Sequence, residues 1–203
     1  MYCSGEVRWF LRGKAEHAVE NWIRSGGLAQ EQEPRTDRYL VLPGCTSAGI
    51  KIREGNFEIK AQTSPTECVA YTDAVAGSCN TWVKWSRTLD DFAGIAQRKH
   101  EDERWVAVRK QRTLRLFSLE SDEPVEVAYG GPWLAAGCQV EKTVIDVLPG
   151  EERWWSFSFE AFGEPGLLLR HLELTVRAVA QSAPAITLRK EDSMSYPEWL
   201  SAL

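Results

Sequence analysis

Two arms of alternating charge and apolarity, Gly49-Ile-Lys-Ile-Arg53 and Phe57-Glu-Ile-Lys60, stand on either side of a Gly55-Asn56 turn. Alternation with a period of two marks a half-buried β-strand, and two such arms about a short turn read as a β-hairpin. One face of the hairpin carries Lys51, Arg53, Glu58 and Lys60, and the other carries Ile50, Ile52, Phe57 and Ile59. Such a segment needs an apolar partner on one side and a polar surrounding on the other.

The same alternation recurs along the chain. Gly5 to Leu11 sets Glu6, Arg8 and Phe10 against Val7, Trp9 and Leu11, and further strands are expected over Thr36 to Leu42, Thr81 to Thr88, Trp105 to Phe117, Gly137 to Val147 and Trp154 to Phe162. Lys110 shares a face with Arg112, Glu141 with Thr143, and Ser158 with Glu160. Helical spacing is confined to Lys14–Ser25, ended by Gly26-Gly27, and to Leu167–Val179, followed by Pro184. Gln30–Arg35, Leu89–Glu103 and Ser121–Pro124 read as loops, and a short tail carries Ser195-Tyr-Pro-Glu-Trp199. These segments predict one α+β domain over residues 1–203, a predominantly antiparallel β-barrel or tunnel with flanking helices.

Which face points inward decides the function class. In an open sandwich the charged faces would meet solvent. The opposite faces, however, carry Trp9, Trp155, Phe157 and Phe159, side chains suited to burial under helices. If helices cover the outside of a closed sheet, the charges line its interior, which is costly unless they are paired or filled by a charged ligand. The nine tryptophans suit wide β-cores, cavities and interfaces alike.

Several classes fall away. A net charge of −5 argues against a nucleic-acid partner. No run approaches the roughly 20 apolar residues of a membrane span, and the start runs into Glu6, Arg8 and Arg12 with no apolar leader, so a cytoplasmic protein with no membrane partner is expected. Cys3, Cys45, Cys68, Cys79 and Cys138 lack C-x-x-C spacing and read as free thiols. His17, His100 and His171 lie too far apart in sequence to suggest a histidine site, and phosphate-loop, dinucleotide and nucleophile-elbow motifs are missing.

The succession Glu6-Val-Arg8, a helix, Arg38-Tyr39, Ile50-Lys-Ile-Arg53 with Glu58-Ile-Lys60, Val108-Arg-Lys110-Gln-Arg112, Phe157-Ser-Phe-Glu160 and Ser195-Tyr-Pro-Glu-Trp-Leu200 resembles the CYTH domains, or triphosphate tunnel metalloenzymes. That resemblance implies an eight-stranded antiparallel tunnel in which Lys and Arg grip a triphosphate and glutamates hold Mg²⁺ or Mn²⁺. Carried over, Arg53, Lys60, Lys110 and Arg112 would bind phosphate, and Glu6, Glu141 and Glu160 would be the metal-ligating, catalytic acids; Arg8, Arg38 and Lys51 are further phosphate-binding candidates in this chain. The family opens with E-x-E-x-K, whereas this chain has Arg8 for the second acid and Phe10 for the lysine, and Ser158 stands where a paired acid is expected.

An arginine at a metal-ligand position sets a positive charge where a cation should sit. The leading expectation is therefore a barrel that binds a triphosphate, inorganic polyphosphate or other phosphorylated small molecule without cleaving it. An active Mg²⁺- or Mn²⁺-dependent triphosphatase, its metal site rebuilt with Glu58 or Asp146, is the alternative. A lipocalin-like barrel for an apolar ligand is the second, and it requires the basic faces to point outward.

Overall fold

The structure, a computed structural model, describes residues 2–25, 27–88, 104–121, 123–150, 152–183 and 186–203. The whole loop expected at Leu89–Glu103, which includes His100, lies outside the described residues, as do Gly26 and Pro184. In chain order the elements are β1 (Tyr2–Arg12), α1 (His17–Arg24), β2 (Gln30–Glu31), β3 (Arg35–Leu40), β4 (Ala48–Arg53), β5 (Asn56–Gln62) and β6 (Glu67–Ala70). There follow β7 (Ala76–Thr88), β8 (Trp105–Ser118), β9 (Val125–Val127), β10 (Gly137–Leu148), β11 (Arg153–Phe162), α2 (Leu168–Ser182) and α3 (Tyr196–Ser201).

Eight strands run in the order β1-β11-β10-β8-β3-β4-β5-β7, and β7 pairs back onto β1 to close the barrel. All pairings between these strands are antiparallel. β6 extends the sheet beyond β7, while β2 and β9 each add to β8. Closure removes the open edges of the main sheet.

The hairpin forms as its alternation predicts, with the turn one residue earlier than expected. Arg53 pairs with Asn56, leaving Glu54 and Gly55 as a two-residue loop with φ of 47° and 77°. Two successive positive φ values suit the right-handed twist of the flanking strands, and glycine takes one of them without strain. The supposed loop Gln30–Arg35 contains β2 and the first residue of β3, and β7 starts five residues before Thr81. Short β6 and β9 show no periodicity long enough to read.

Outside the barrel, Trp9, Val140, Phe157 and Phe159 pack against Val19, Trp22 and Ile23 of α1 and Leu172, Val176 and Val179 of α2. Burying each large apolar side chain contributes about 1.5–3 kcal/mol, which ties both helices to this face. His171 of α2 is buried on the same side, and all five cysteines are free. Among the described residues, no helix is long and apolar enough to cross a membrane.

The C-terminal segment passes from this outer core to the barrel interior through the seam between β1 and β7. Leu188 exchanges backbone hydrogen bonds with Ala74 and Ala76, and the Met194 amide donates to the Arg8 carbonyl at 3.0 Å. Ser193 Oγ donates to that same carbonyl and accepts from the Ser78 amide. Gly77 permits the crossing, since a Cβ there would stand 2.9 Å from Ser193 Oγ of the crossing segment and 2.7 Å from both Trp9 and Val7 of β1. Beyond the seam a capping box starts α3, with Ser195 Oγ accepting from the Glu198 amide and Glu198 Oε2 accepting from the Ser195 amide. Trp199 and Leu200 then pack on Phe10, Tyr39, Val108 and Ile145 inside the barrel.

Candidate ligand-binding cavity

Alternation turns one face of each strand inward, and these faces enclose a cavity of about 160 Å³. Glu6 and Arg8 reach it from β1, Lys51 and Arg53 from β4, Lys60 from β5, Lys110 and Arg112 from β8, Glu141 from β10 and Glu160 from β11. The sequence pattern had placed all of these together. Arg38 is the exception. Its neighbour Tyr39 points into the cavity, so Arg38 takes the opposite face of β3, and Arg35 is the β3 cation that lines the space.

Residues to which the sequence reading gave no site role complete the wall: Arg35 and Tyr39 on β3, Trp82 and Lys84 on β7, Gln139 on β10, and Ser195, Tyr196 and Pro197 at the start of α3. Lys84 and Trp82 carried a signal, since they share a face of an expected strand. Asp37, wholly buried beneath Lys51 and Lys110, carried one in the Arg35, Asp37, Tyr39 spacing. Tyr196 stood in a quoted segment, but nothing local gave it a place in the cavity, which it enters only because the C-terminal segment crosses the seam.

Each inward carboxylate meets at least one cation, and four of the five are shared by two or more. Asp37 holds Arg35 at 3.0 Å, Lys51 at 3.3 Å and Lys110 at 3.4 Å. Glu58 holds Arg53 at 2.6 Å, Lys51 at 3.2 Å and Lys84 at 3.4 Å. Glu6 takes Arg8 at 2.8 Å on one oxygen and Lys60 on the other. Glu141 takes Arg8 at 3.1 Å and Thr143 on one oxygen and Arg112 at 3.3 Å on the other. Glu160 faces Lys60 at 3.4 Å. Side-chain exposure grades from 31% at Lys84 and 29% at Lys60 to 6% at Lys110, so solvent reaches the β5–β7 side and fades toward Tyr196.

The protonation states follow from this geometry. Burial works to raise the Glu6 carboxyl, but Lys60 and Arg8 outweigh it and hold it at about 2. Glu141 is likewise held at about 2, with Arg8 and Arg112 prevailing over burial. Burial pushes the Lys110 ammonium well below its usual range, with Asp37 opposing the shift. Lys110 also lies 3.9 Å from the centre of the Tyr196 ring and hydrogen-bonds Tyr39 Oη.

Among the described residues, eight cationic side chains thus converge on five carboxylates, counting Asp37. Like charges even face each other across strands, Lys60 opposite Lys84 and Arg35 opposite Lys110. Such pairs oppose folding, and buried ion pairs seldom add net stability over apolar packing.

Glu6, Glu141 and Glu160, the acids that the resemblance would assign to Mg²⁺ or Mn²⁺, do not fit a divalent cation as they stand. Both oxygens of Glu6 and of Glu141 are engaged by cationic side chains, and the Arg8 guanidinium lies between the two. Asp146, weighed as a replacement acid, pairs with Arg153 away from the cavity lining. Neither a protein-family model nor a curated protein matches the chain.

Proposed function

We propose that this protein binds a small polyanion, a triphosphate, inorganic polyphosphate or other phosphorylated small molecule, in the cationic interior of its barrel. The observation that carries the reading is the excess, among the described residues, of eight buried or half-buried cations over five carboxylates in one cavity, in a chain whose overall charge is −5. Arginine forks and lysine ammonium groups suit phosphate oxygens, and an anion would relieve the facing pairs Lys60–Lys84 and Arg35–Lys110. The motif order that resembles the triphosphate tunnel proteins supports the phosphate chemistry. Cleavage is not part of the proposal, because among the described residues no carboxylate pair stands ready to hold the metal that such hydrolysis uses. An apolar ligand is disfavoured by the same charges.

A thermal-shift panel of tripolyphosphate, pyrophosphate, orthophosphate and a fatty acid tests this. Tripolyphosphate at a hundred times its Kd should stabilise by about 2.7 kcal/mol, roughly 5–10 °C for a chain of this size. A shift with the fatty acid and none with any phosphate would reject the proposal.

A further inference from the structure

We infer that Arg8 is a built-in cation that takes the place of a divalent metal between Glu6 and Glu141. The barrel register shows how one side chain can do this. Arg8 on β1 pairs with Ser158 on β11, and Ser158 pairs with Glu141 on β10, so Arg8 and Glu141 stand two strands apart with a serine between them. Adjacent strands are separated by about 4.8 Å, a span that an arginine covers only if the middle side chain is short. Ser158 and Ser156 leave that room. The guanidinium lies across them, with Nε on Glu6 at 2.8 Å and Nη1 on both Glu141 at 3.1 Å and Ser156 Oγ at 3.0 Å. The Tyr196 ring, 5.1 Å from Cζ, flanks it.

Arg8 is 6% exposed, and its charge is fixed because a guanidinium does not deprotonate in a protein. A divalent ion needs carboxylate oxygens with free lone pairs at close range. Here Lys60 takes the second oxygen of Glu6 and Arg112 the second oxygen of Glu141, so a metal would have to displace three cations while sitting beside a permanent positive charge. Coupled to the polyanion reading, on which this consequence rests, the assignment means that the ligand is held without a metal bridge.

Mn²⁺ titration of the ligand-free protein, followed by electron paramagnetic resonance, tests the assignment apart from any phosphate. The unsubstituted protein should take up no Mn²⁺, and Arg8→Glu should create a site that binds it at least about tenfold tighter. Because Arg8→Glu gathers three buried acids and can fail to fold, Arg8→Gln serves as the second variant. It frees one oxygen of Glu6 and leaves the matching oxygen of Glu141 with Thr143 alone, and should gain measurable, weaker uptake. Mn²⁺ binding by the unsubstituted protein that disappears in Glu141→Gln would overturn the inference, as would an unchanged, silent titration in a folded Arg8→Gln and Arg8→Glu pair. Calorimetry with tripolyphosphate in a chelator is the linked arm. Binding there supports the metal-free mode, whereas binding that appears only with Mn²⁺ overturns it. If no tripolyphosphate binds with or without Mn²⁺ while the Mn²⁺ results come out as expected, the polyanion reading fails and the assignment of Arg8 stands.

Discussion

The same strand faces build two different interiors as they run along the barrel. On β1 the inward residues pass from Glu6 and Arg8 to Phe10, on β3 from Arg35 and Asp37 to Tyr39, on β8 from Arg112 and Lys110 to Val108, and on β10 from Glu141 and Thr143 to Ile145. At the apolar end, Phe10 stacks on Trp199 at 4.7 Å between centroids and Tyr39 on Tyr196 at 5.2 Å. One half is therefore an ordinary core closed by α3, and the other is a charged space that ordinary core formation does not explain. The contrast separates stability from function within a single barrel: burial holds the apolar half, while the charged half keeps groups whose net contribution to folding is small.

The largest effect should come from the apolar half. Trp199→Ala removes a wholly buried indole from its stack, and chemical denaturation should show a loss of about 3–5 kcal/mol. A loss no greater than that of a surface substitution would break the distinction. Glu58→Gln sharpens it from the other side. Removing the carboxylate shared by Lys51, Arg53 and Lys84 should lower stability by less than the ~3–5 kcal/mol of a fully buried pair, since those cations keep partial solvent contact. The same change should strengthen tripolyphosphate binding, because three cations lose their internal competitor. A parallel fall in stability and affinity would show that the charged half serves folding alone.

Acid should act on the charged half and spare the other. Glu6 and Glu141 have folded-state values lowered from 4.5 to about 2, so their contribution is complete above pH 4.5 and is lost as pH falls toward 2. Stability against denaturant should decline across that window, and Glu141→Gln should flatten the decline. An acid limb identical in the variant would remove Glu141 from the account.

Much of this was legible because period-2 alternation fixes which side chains share a face. The pattern in Ile50–Arg53 and Phe57–Lys60 was enough to bring Lys51, Arg53 and Lys60 to one side, and the register adds Lys110, Arg112 and Glu141 from strands far away in sequence. Arg38 falls outside the cavity for the same reason that the others line it: adjacent residues of a strand cannot share a face, and Tyr39 is the inward one. Lys84 obeyed the pattern and was overlooked because its strand lay outside the resemblance, and Arg35 was missed because the polar run around Pro34 read as a loop. Tyr196 and the six-residue α3 could not be placed from sequence, since their position depends on the gap that opens where β1 and β7 part.

Calorimetric titration of tripolyphosphate tests the central claim most directly, with the unsubstituted protein and Arg53→Ala compared at low and high salt. Saturable one-to-one binding is predicted. It should weaken with salt, because the mouth of the cavity is solvated, and should fall about tenfold or more in Arg53→Ala, as expected for losing a hydrogen-bonded charge. Absence of binding, or binding that responds to neither salt nor Arg53→Ala, would contradict the account.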